Sequence, residues 1–103
     1  MGISDAELQH QTLVQDLEYR LKGRYAIIMR EVPVRNPETG QQIGEIDLLG
    51  IVDDEWHIYE VKVSDRYRKA ERQLLNLGRY LRGCGTISLY YYSGATDKIR
   101  KVR

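Results

Sequence analysis

The sequence predicts one α/β domain with the element order helix, three strands, helix, strand. Two segments, one near the start of the chain and one after residue 65, repeat apolar residues at the helical period. Between them, residues 44–64 alternate with a period of two on both sides of Asp53 and Asp54, which is typical of two strands joined by a tight turn. A chain of 103 residues suffices for one modest core, so we expect a single domain over residues 1–103.

The first helix is expected to begin after a capping Ser4 or Asp5 and to end at about Gly23. Its apolar residues form one stripe: Leu8, Leu13, Val14, Leu17 and Leu21. Glu18 lies one turn beyond Val14, at the margin of this stripe. An ion pair with Lys22, four residues later, is one expected role for Glu18.

The first strand is predicted over 25–34, where Pro33 indicates either the end of the strand or an edge position. Residues 36–40, with the sequence NPETG, have the composition of a turn. The chain then enters the segment 44–64, which we expect to form the second and third strands.

Acidic side chains meet in this hairpin if its loop has an even number of residues. A loop of two or four residues places Asp47 opposite Glu60 and Glu45 opposite Lys62, with opposed Cβ atoms ~5 Å apart. A three-residue loop would instead pair Asp47 with Val61 and separate the group.

Two opposed carboxylates on buried strands require a compensating cation. Lys62 is one candidate and a metal ion is the other. Carboxylate oxygens, completed by water and substrate phosphate, are the usual ligands of Mg²⁺, and a nearby lysine can orient an attacking water. The alternative is a solvated sheet edge with a Glu45–Lys62 ion pair, which would contribute little stability.

The second helix is predicted from Arg66, after a capping Ser64 or Asp65, to about Arg82, with Gly83 ending it. One face is apolar: Tyr67, Ala70, Leu74, Leu77 and Leu81. Basic residues at its start and on its far side form a predicted phosphate-contacting stripe: Arg66, Arg68, Lys69, Arg72 and Arg79.

A fourth strand is predicted over 86–92, and its tyrosines are expected either to pack against the helices or to line a dimer contact. Residues 98–103 form either a last short strand or a basic tail. His10 and His57 lack the clustering of zinc ligands and are assigned no role.

Charge is divided unevenly along the chain. Residues 1–65 hold six Lys/Arg and 13 Asp/Glu, whereas residues 66–103 hold ten and two. This division suits an acidic metal site beside a surface that attracts a polyanion. Cys84 cannot form an internal disulfide and is expected to be a small buried side chain, and no apolar run or leader indicates a membrane span or secretion. We therefore expect a cytoplasmic protein in a reducing compartment.

The hairpin motif resembles the PD-(D/E)XK nuclease superfamily. Asp47 matches the first acid and Glu60-Val61-Lys62 matches the E-X-K half, while GEIDLLG followed by YEVKVS is similar to archaeal Holliday junction resolvases and related small nucleases. Ile46 stands where the superfamily's name-giving proline would be. The resemblance implies a restriction-endonuclease-like αβββαβ core, with a mixed central sheet flanked by two helices.

The resemblance also implies the roles of the site residues. Asp47, Glu60 and the Val61 carbonyl would bind Mg²⁺ or Mn²⁺, Glu18 would complete the metal site, and Lys62 would position the attacking water. Gln73 is the candidate for a helical glutamine that approaches the active site in some members.

The expected activity is metal-dependent endonucleolytic hydrolysis of DNA, with branched DNA suggested by the resolvases. A homodimer joined through the fourth strand is expected. The alternatives are a single-site exonuclease, or a nucleic-acid-binding or protein-interaction module that keeps the fold without cleaving.

Overall fold

A computed structural model of the chain describes residues 2–81 and 83–103. The elements in chain order are helix α1 (Asp5–Leu21), a single 3-10 turn (Lys22–Arg24), strands β1 (Ile27–Arg35), β2 (Gln42–Val52) and β3 (Glu55–Lys62), helix α2 (Tyr67–Tyr80), and strands β4 (Thr86–Ser93) and β5 (Lys98–Lys101). The predicted order is confirmed, and the last basic segment is a strand.

The five strands form one mixed sheet in the order β1-β2-β3-β4-β5. Neighbouring strands are antiparallel except for β3 and β4, which are parallel and are connected through α2. Pro33 lies within β1, which is an edge strand, as a residue without a backbone N–H requires.

Two clusters of buried side chains make up the core. One joins α1 to the sheet: Val14, Leu17, Leu21, Leu48, Tyr59, Val61 and Tyr92. The other joins α2 to the sheet: Val34, Ile46, Leu49, Ile58, Leu74, Leu77 and Leu89. Each helix therefore buries most of its apolar stripe, although Leu8 of α1 is 53% exposed. The α/β class with a mixed sheet and two helices is confirmed.

The helix ends differ in detail from the predictions. Ser4 caps α1, because its Oγ accepts a hydrogen bond from the Glu7 N–H at 3.2 Å. Neither Ser64 nor Asp65 caps α2 by a side-chain hydrogen bond. The Arg66 N–H instead donates to the Tyr91 hydroxyl at 2.7 Å. The predicted helix end at about Arg82 lies outside the described residues, and α2 ends at Tyr80.

The period-two alternation is interrupted at Asp47. The sequence places Ile46 and Leu48 on the same face, but Leu48 packs in the α1 cluster whereas Ile46 packs with Leu49 in the α2 cluster. On the neighbouring strand, the pairing of β1 with β2 skips Glu31, whose φ is 55°. This local irregularity lets the residues on either side of Asp47 reach opposite faces.

The fourth strand lies inside the sheet, paired with β3 on one side and β5 on the other. Tyr91 and Tyr92 are buried within the chain, and Tyr90 stacks on Tyr59 at 4.9 Å. Both edges of this strand are already paired, so a dimer cannot form by edge-to-edge pairing of β4, and the predicted homodimer stays a prediction. Cys84, expected to be buried, is exposed.

Across residues 2–81 and 83–103, neither helix combines the length and the apolar character needed to cross a bilayer.

Candidate active site

The register of the hairpin brings the two predicted acids together. Val52 pairs with Glu55 around the two-residue turn, and the ladder continues to Leu48 and Tyr59. The next position along this register places Asp47 beside Glu60, so the predicted even-numbered loop is confirmed. The ladder ends at this point, although β3 continues to Lys62.

Asp47 provides the contact between the two strands where backbone pairing ends. Its Oδ2 accepts a hydrogen bond from the Val61 N–H at 2.8 Å. The residue is 8% exposed. A buried carboxylate held by a backbone donor cannot rotate away, so Asp47 stays fixed next to the carboxylate of Glu60.

Glu60 is buried to a similar degree, at 6% exposed. Burial, followed by repulsion from Asp47, raises the pKa of Glu60 to about 8. Lys62 opposes this shift, since its Nζ lies 3.7 Å from Glu60 Oε1. Glu60 thus takes the place of Glu45 as the ion-pair partner of Lys62.

His10, which received no role from the sequence, contacts Asp47 on β2 and the backbone of β3. Its Nε2 lies 3.3 Å from Asp47 Oδ2 and 3.1 Å from the Val61 carbonyl oxygen. Because both partners accept hydrogen bonds, Nε2 carries the proton. The hydrogen bond to Asp47 is the main cause that raises the pKa of His10 above 6.5. The sequence could have indicated that His10 faces the sheet, because it lies four residues before Val14 and so extends the buried stripe of α1 by one turn.

Gln73 lies near Glu60, as its prediction requires. The two residues line a small cavity of ≈ 90 Å³ together with Glu45, Asn76 and Leu77. Gln73 belongs to α2 and Glu60 to β3, so this cavity opens beside the acid pair on the α2 side of the sheet. An amide here can reach a ligand that also contacts Glu60.

Glu18 is not brought to the acid pair. Its Oε1 lies 3.0 Å from Arg30 Nε on β1, and this ion pair replaces the expected one with Lys22. Glu18 is two turns beyond His10, about 12 Å farther along the helix axis at ~1.5 Å per residue. The helix therefore presents His10, rather than Glu18, to Asp47.

The predicted phosphate-contacting residues divide into two groups. Four lie together at the start of α2 and line one open surface: Arg66, Arg68, Lys69 and Arg72. Arg79 lies in the last turn of the same helix. The first group follows Lys62 by only a short connection, so it is the part of the stripe closest in the chain to the acid pair.

The donor set at the acid pair suits a hard divalent cation. Asp47 and Glu60 supply carboxylate oxygens and Val61 supplies a backbone carbonyl, which are the donors preferred by Mg²⁺ and Mn²⁺. Among the residues that the structure describes, no three side chains of His, Cys, Asp or Glu come close enough to hold an ion by themselves. The two acids and the carbonyl would therefore leave the remaining ligand positions to water and substrate.

Comparison of the chain with models of known protein families finds no match, and comparison with curated proteins finds none either.

Proposed function

We propose that the protein is a divalent-metal-dependent deoxyribonuclease with a restriction-endonuclease-like core. The observation that carries this proposal is the buried pair Asp47 and Glu60, with Lys62 Nζ 3.7 Å from Glu60, at the point where the ladder between β2 and β3 ends. Two acids side by side on buried strands are costly. Their placement has a chemical purpose if a metal ion and a phosphodiester complete the site.

Each residue of the site has a definite role in hydrolysis. Asp47, Glu60 and the Val61 carbonyl would hold the ion, which when bound would neutralise charge on the scissile phosphate. The Lys62 ammonium donates a hydrogen bond that orients the attacking water towards phosphorus. Gln73 contacts the substrate from the α2 side. The water adds to phosphorus, the bond from phosphorus to the 3′-oxygen breaks, and the products carry a 5′-phosphate and a 3′-hydroxyl.

Branched DNA is the substrate we test first, because the hairpin motif is similar to those of resolvases. Labelled four-way junction, duplex and single-stranded DNA are incubated with Mg²⁺, with Mn²⁺ or with chelator. The native protein is compared with Asp47→Asn and Lys62→Ala. The matched controls are Glu38→Gln and Lys22→Ala, which change an exposed acid and an exposed lysine outside the site.

We expect metal-dependent cutting by the native protein and both controls. The two site variants should cut at least ~100-fold more slowly, since they remove a metal ligand or the group that orients the water. Cutting that persists in chelator, or that survives in Asp47→Asn, would contradict the proposal. Circular dichroism of all variants separates loss of chemistry from loss of fold.

A second candidate function is a nucleic-acid-binding module that does not cleave. The contacts of His10 favour it, because Nε2–H serves both Asp47 and the Val61 carbonyl without any ion. This candidate predicts salt-sensitive DNA binding and no cutting under any metal condition. The same assay therefore distinguishes the two.

A further inference from the structure

A row of three side chains crosses the sheet from the acid pair to its far edge. Glu60 on β3 pairs in register with Tyr91 on β4, and Tyr91 pairs with Arg100 on β5. Paired residues point to the same face, which is here the face covered by α2. Neighbouring strands are ~4.8 Å apart, so the backbone of Arg100 lies about 10 Å from that of Glu60.

The guanidinium of Arg100 is held by an aromatic ring of α2. Its Cζ lies 3.7 Å from the centre of the Tyr67 ring. Tyr67 in turn meets Tyr91 edge to face, with ring centres 5.6 Å apart. Stacking on one face restricts the guanidinium but leaves its edge, which carries the N–H donors, free for an anion.

Two more arginines surround this position. Arg68 and Arg72 line an open cleft with Arg100 and Tyr67, and Glu71 is the one acid on its lining. Within residues 2–81 and 83–103, none of the three arginines forms an ion pair, and the only hydrogen bond of the Glu71 carboxylate is a long one of 3.5 Å from the Tyr67 hydroxyl. The described lining of the cleft thus carries three positive charges and one negative charge.

We propose that Arg100, stacked on Tyr67, binds a backbone phosphate of a nucleic-acid strand whose neighbouring phosphates reach the acid pair. Arg68 and Arg72 complete this phosphate-binding cleft. Successive phosphates of one strand are ~6–7 Å apart through space, which is more than the ~3.4 Å rise along the helix axis, so about 10 Å corresponds to about one or two nucleotides. The cleft therefore fixes the direction in which a strand runs past the start of α2, from the acid pair towards β5. Only the role of the acid pair as the cutting position rests on the proposed function.

The first measurement is the affinity for labelled single-stranded and duplex DNA over a series of salt concentrations, in chelator, so that no cleavage is needed. Arg100→Gln should bind about ten-fold more weakly at low salt. For duplex DNA, its dependence of log K on log salt should be shallower by about 0.9, as expected for one lost phosphate contact. Arg24→Gln, an exposed arginine on the α1 side, is the matched control and should behave like the native protein.

The aromatic support is tested at Tyr67. Tyr67→Phe keeps the ring under the guanidinium and should retain the native DNA affinity. Tyr67→Leu removes the ring, so its DNA affinity should fall, but by less than the affinity of Arg100→Gln. Combining Tyr67→Leu with Arg100→Gln should add little to the loss caused by Arg100→Gln alone, because the two residues act on one contact. If the losses of binding free energy caused by Tyr67→Leu and Arg100→Gln add in full, Tyr67 does not support the contact made by Arg100.

The position of the contact is mapped with DNA in which single phosphates are replaced by neutral methylphosphonates. One replacement should weaken binding by the native protein but not by Arg100→Gln. Where Mg²⁺ supports cutting, this phosphate should lie about one or two nucleotides from the cut. Identical interference patterns for native protein and Arg100→Gln would overturn the proposal.

The outcomes separate this site from the proposed nuclease activity. If DNA is never cut but the interference pattern is as described, the cleft is established and the catalytic proposal fails. If DNA is cut but Arg100→Gln leaves both affinity and salt dependence unchanged, the cleft is rejected and the nuclease stands. Absence of any DNA binding also rejects the cleft.

Discussion

The imidazole Nε2 of His10 lies 3.3 Å from Oδ2 of Asp47, so helix α1 is anchored directly on the acid pair. The same nitrogen lies 3.1 Å from the Val61 carbonyl oxygen. One side chain therefore joins the helix to the β2 acid and to the β3 backbone at the position where these two strands stop pairing. The geometry of the candidate site depends on this junction as much as on the hairpin.

Replacement of His10 should change stability in a pH-dependent way. The folded-state pKa of His10 is raised, chiefly by its hydrogen bond to Asp47. Its charge therefore contributes stability that is fully present below about pH 6.5 and is lost as the pH rises through the higher folded-state value. His10→Gln keeps an N–H donor without the charge, so it should be less stable than the native protein at pH 5 and nearly equal at pH 9. Denaturant unfolding across this range measures the difference, and an offset that is constant with pH would contradict the expectation.

The metal-free protein should lose stability as the pH rises from about 4.5 to about 8. The pKa of Glu60 is raised to about 8 when folded, so the folded state binds more protons than the unfolded state within this window. Glu60→Gln cannot titrate and should remove this part of the dependence. The comparison is made by chemical unfolding in chelator. If the free energies of unfolding of the native protein and Glu60→Gln change with pH in parallel, folding does not raise the pKa of Glu60.

Asp47→Asn should stabilise the metal-free protein by about 1 kcal/mol at pH 9, where Glu60 is ionised. It removes the repulsion with Glu60 but keeps an oxygen that can accept the hydrogen bond from the Val61 N–H. Added Mg²⁺ should raise the stability of the native protein, by about 2.7 kcal/mol at 100 times its Kd, and should leave Asp47→Asn nearly unchanged. Thermal melting at several Mg²⁺ concentrations tests both parts, with Glu38→Gln as the control that should respond like the native protein.

Tyr91→Phe should destabilise the start of α2. The Tyr91 hydroxyl accepts a hydrogen bond from the Arg66 N–H at 2.7 Å and donates one to Asp65 Oδ1 at 2.8 Å. Its loss leaves the first backbone donor of the helix without a partner, at a cost of about 1–2 kcal/mol. Tyr80→Phe, at an exposed position of the same helix, should change the unfolding free energy by less than about 0.5 kcal/mol. Equal effects of the two variants would show that the hydroxyl of Tyr91 does not fix the helix.

Gly50→Ala should destabilise the protein by about 2 kcal/mol. A Cβ at position 50 would lie 2.6 Å from the Tyr25 ring, which packs flat on the glycine. Tyr25 cannot move away without losing its hydroxyl contacts with His57 and Tyr59. Gly23→Ala is the matched control, because no atom lies within 4 Å of its added Cβ. Urea unfolding measures the free energy of unfolding of both variants. If Gly50→Ala and Gly23→Ala lower it equally, the destabilisation comes from the backbone rather than from the contact with the Tyr25 ring.

The sequence by itself determined the elements, and it left open an even or a three-residue loop for the hairpin until the structure showed the even one. The apolar stripes of the two helices specify which sides are buried, since burial is governed by the helical period. The two-residue turn at Asp53 and Asp54 sets the register of β2 and β3, because strand pairing is fixed by loop length. These relations are local, and the register set by the turn places Asp47 beside Glu60.

Only the tertiary structure decided which distant residues reach that pair. The path of α1 over the sheet brings His10 to Asp47 and leaves Glu18 with Arg30, and no local period encodes the point at which a helix crosses a strand. The order of the strands decided that β4 is internal and that Arg100 stands in line with Glu60. The position of β5 depends on pairing between strands and on the packing of Tyr67 beneath the Arg100 guanidinium. Such contacts arise from the packing of the whole chain, so they emerge only when the helices and the sheet are assembled.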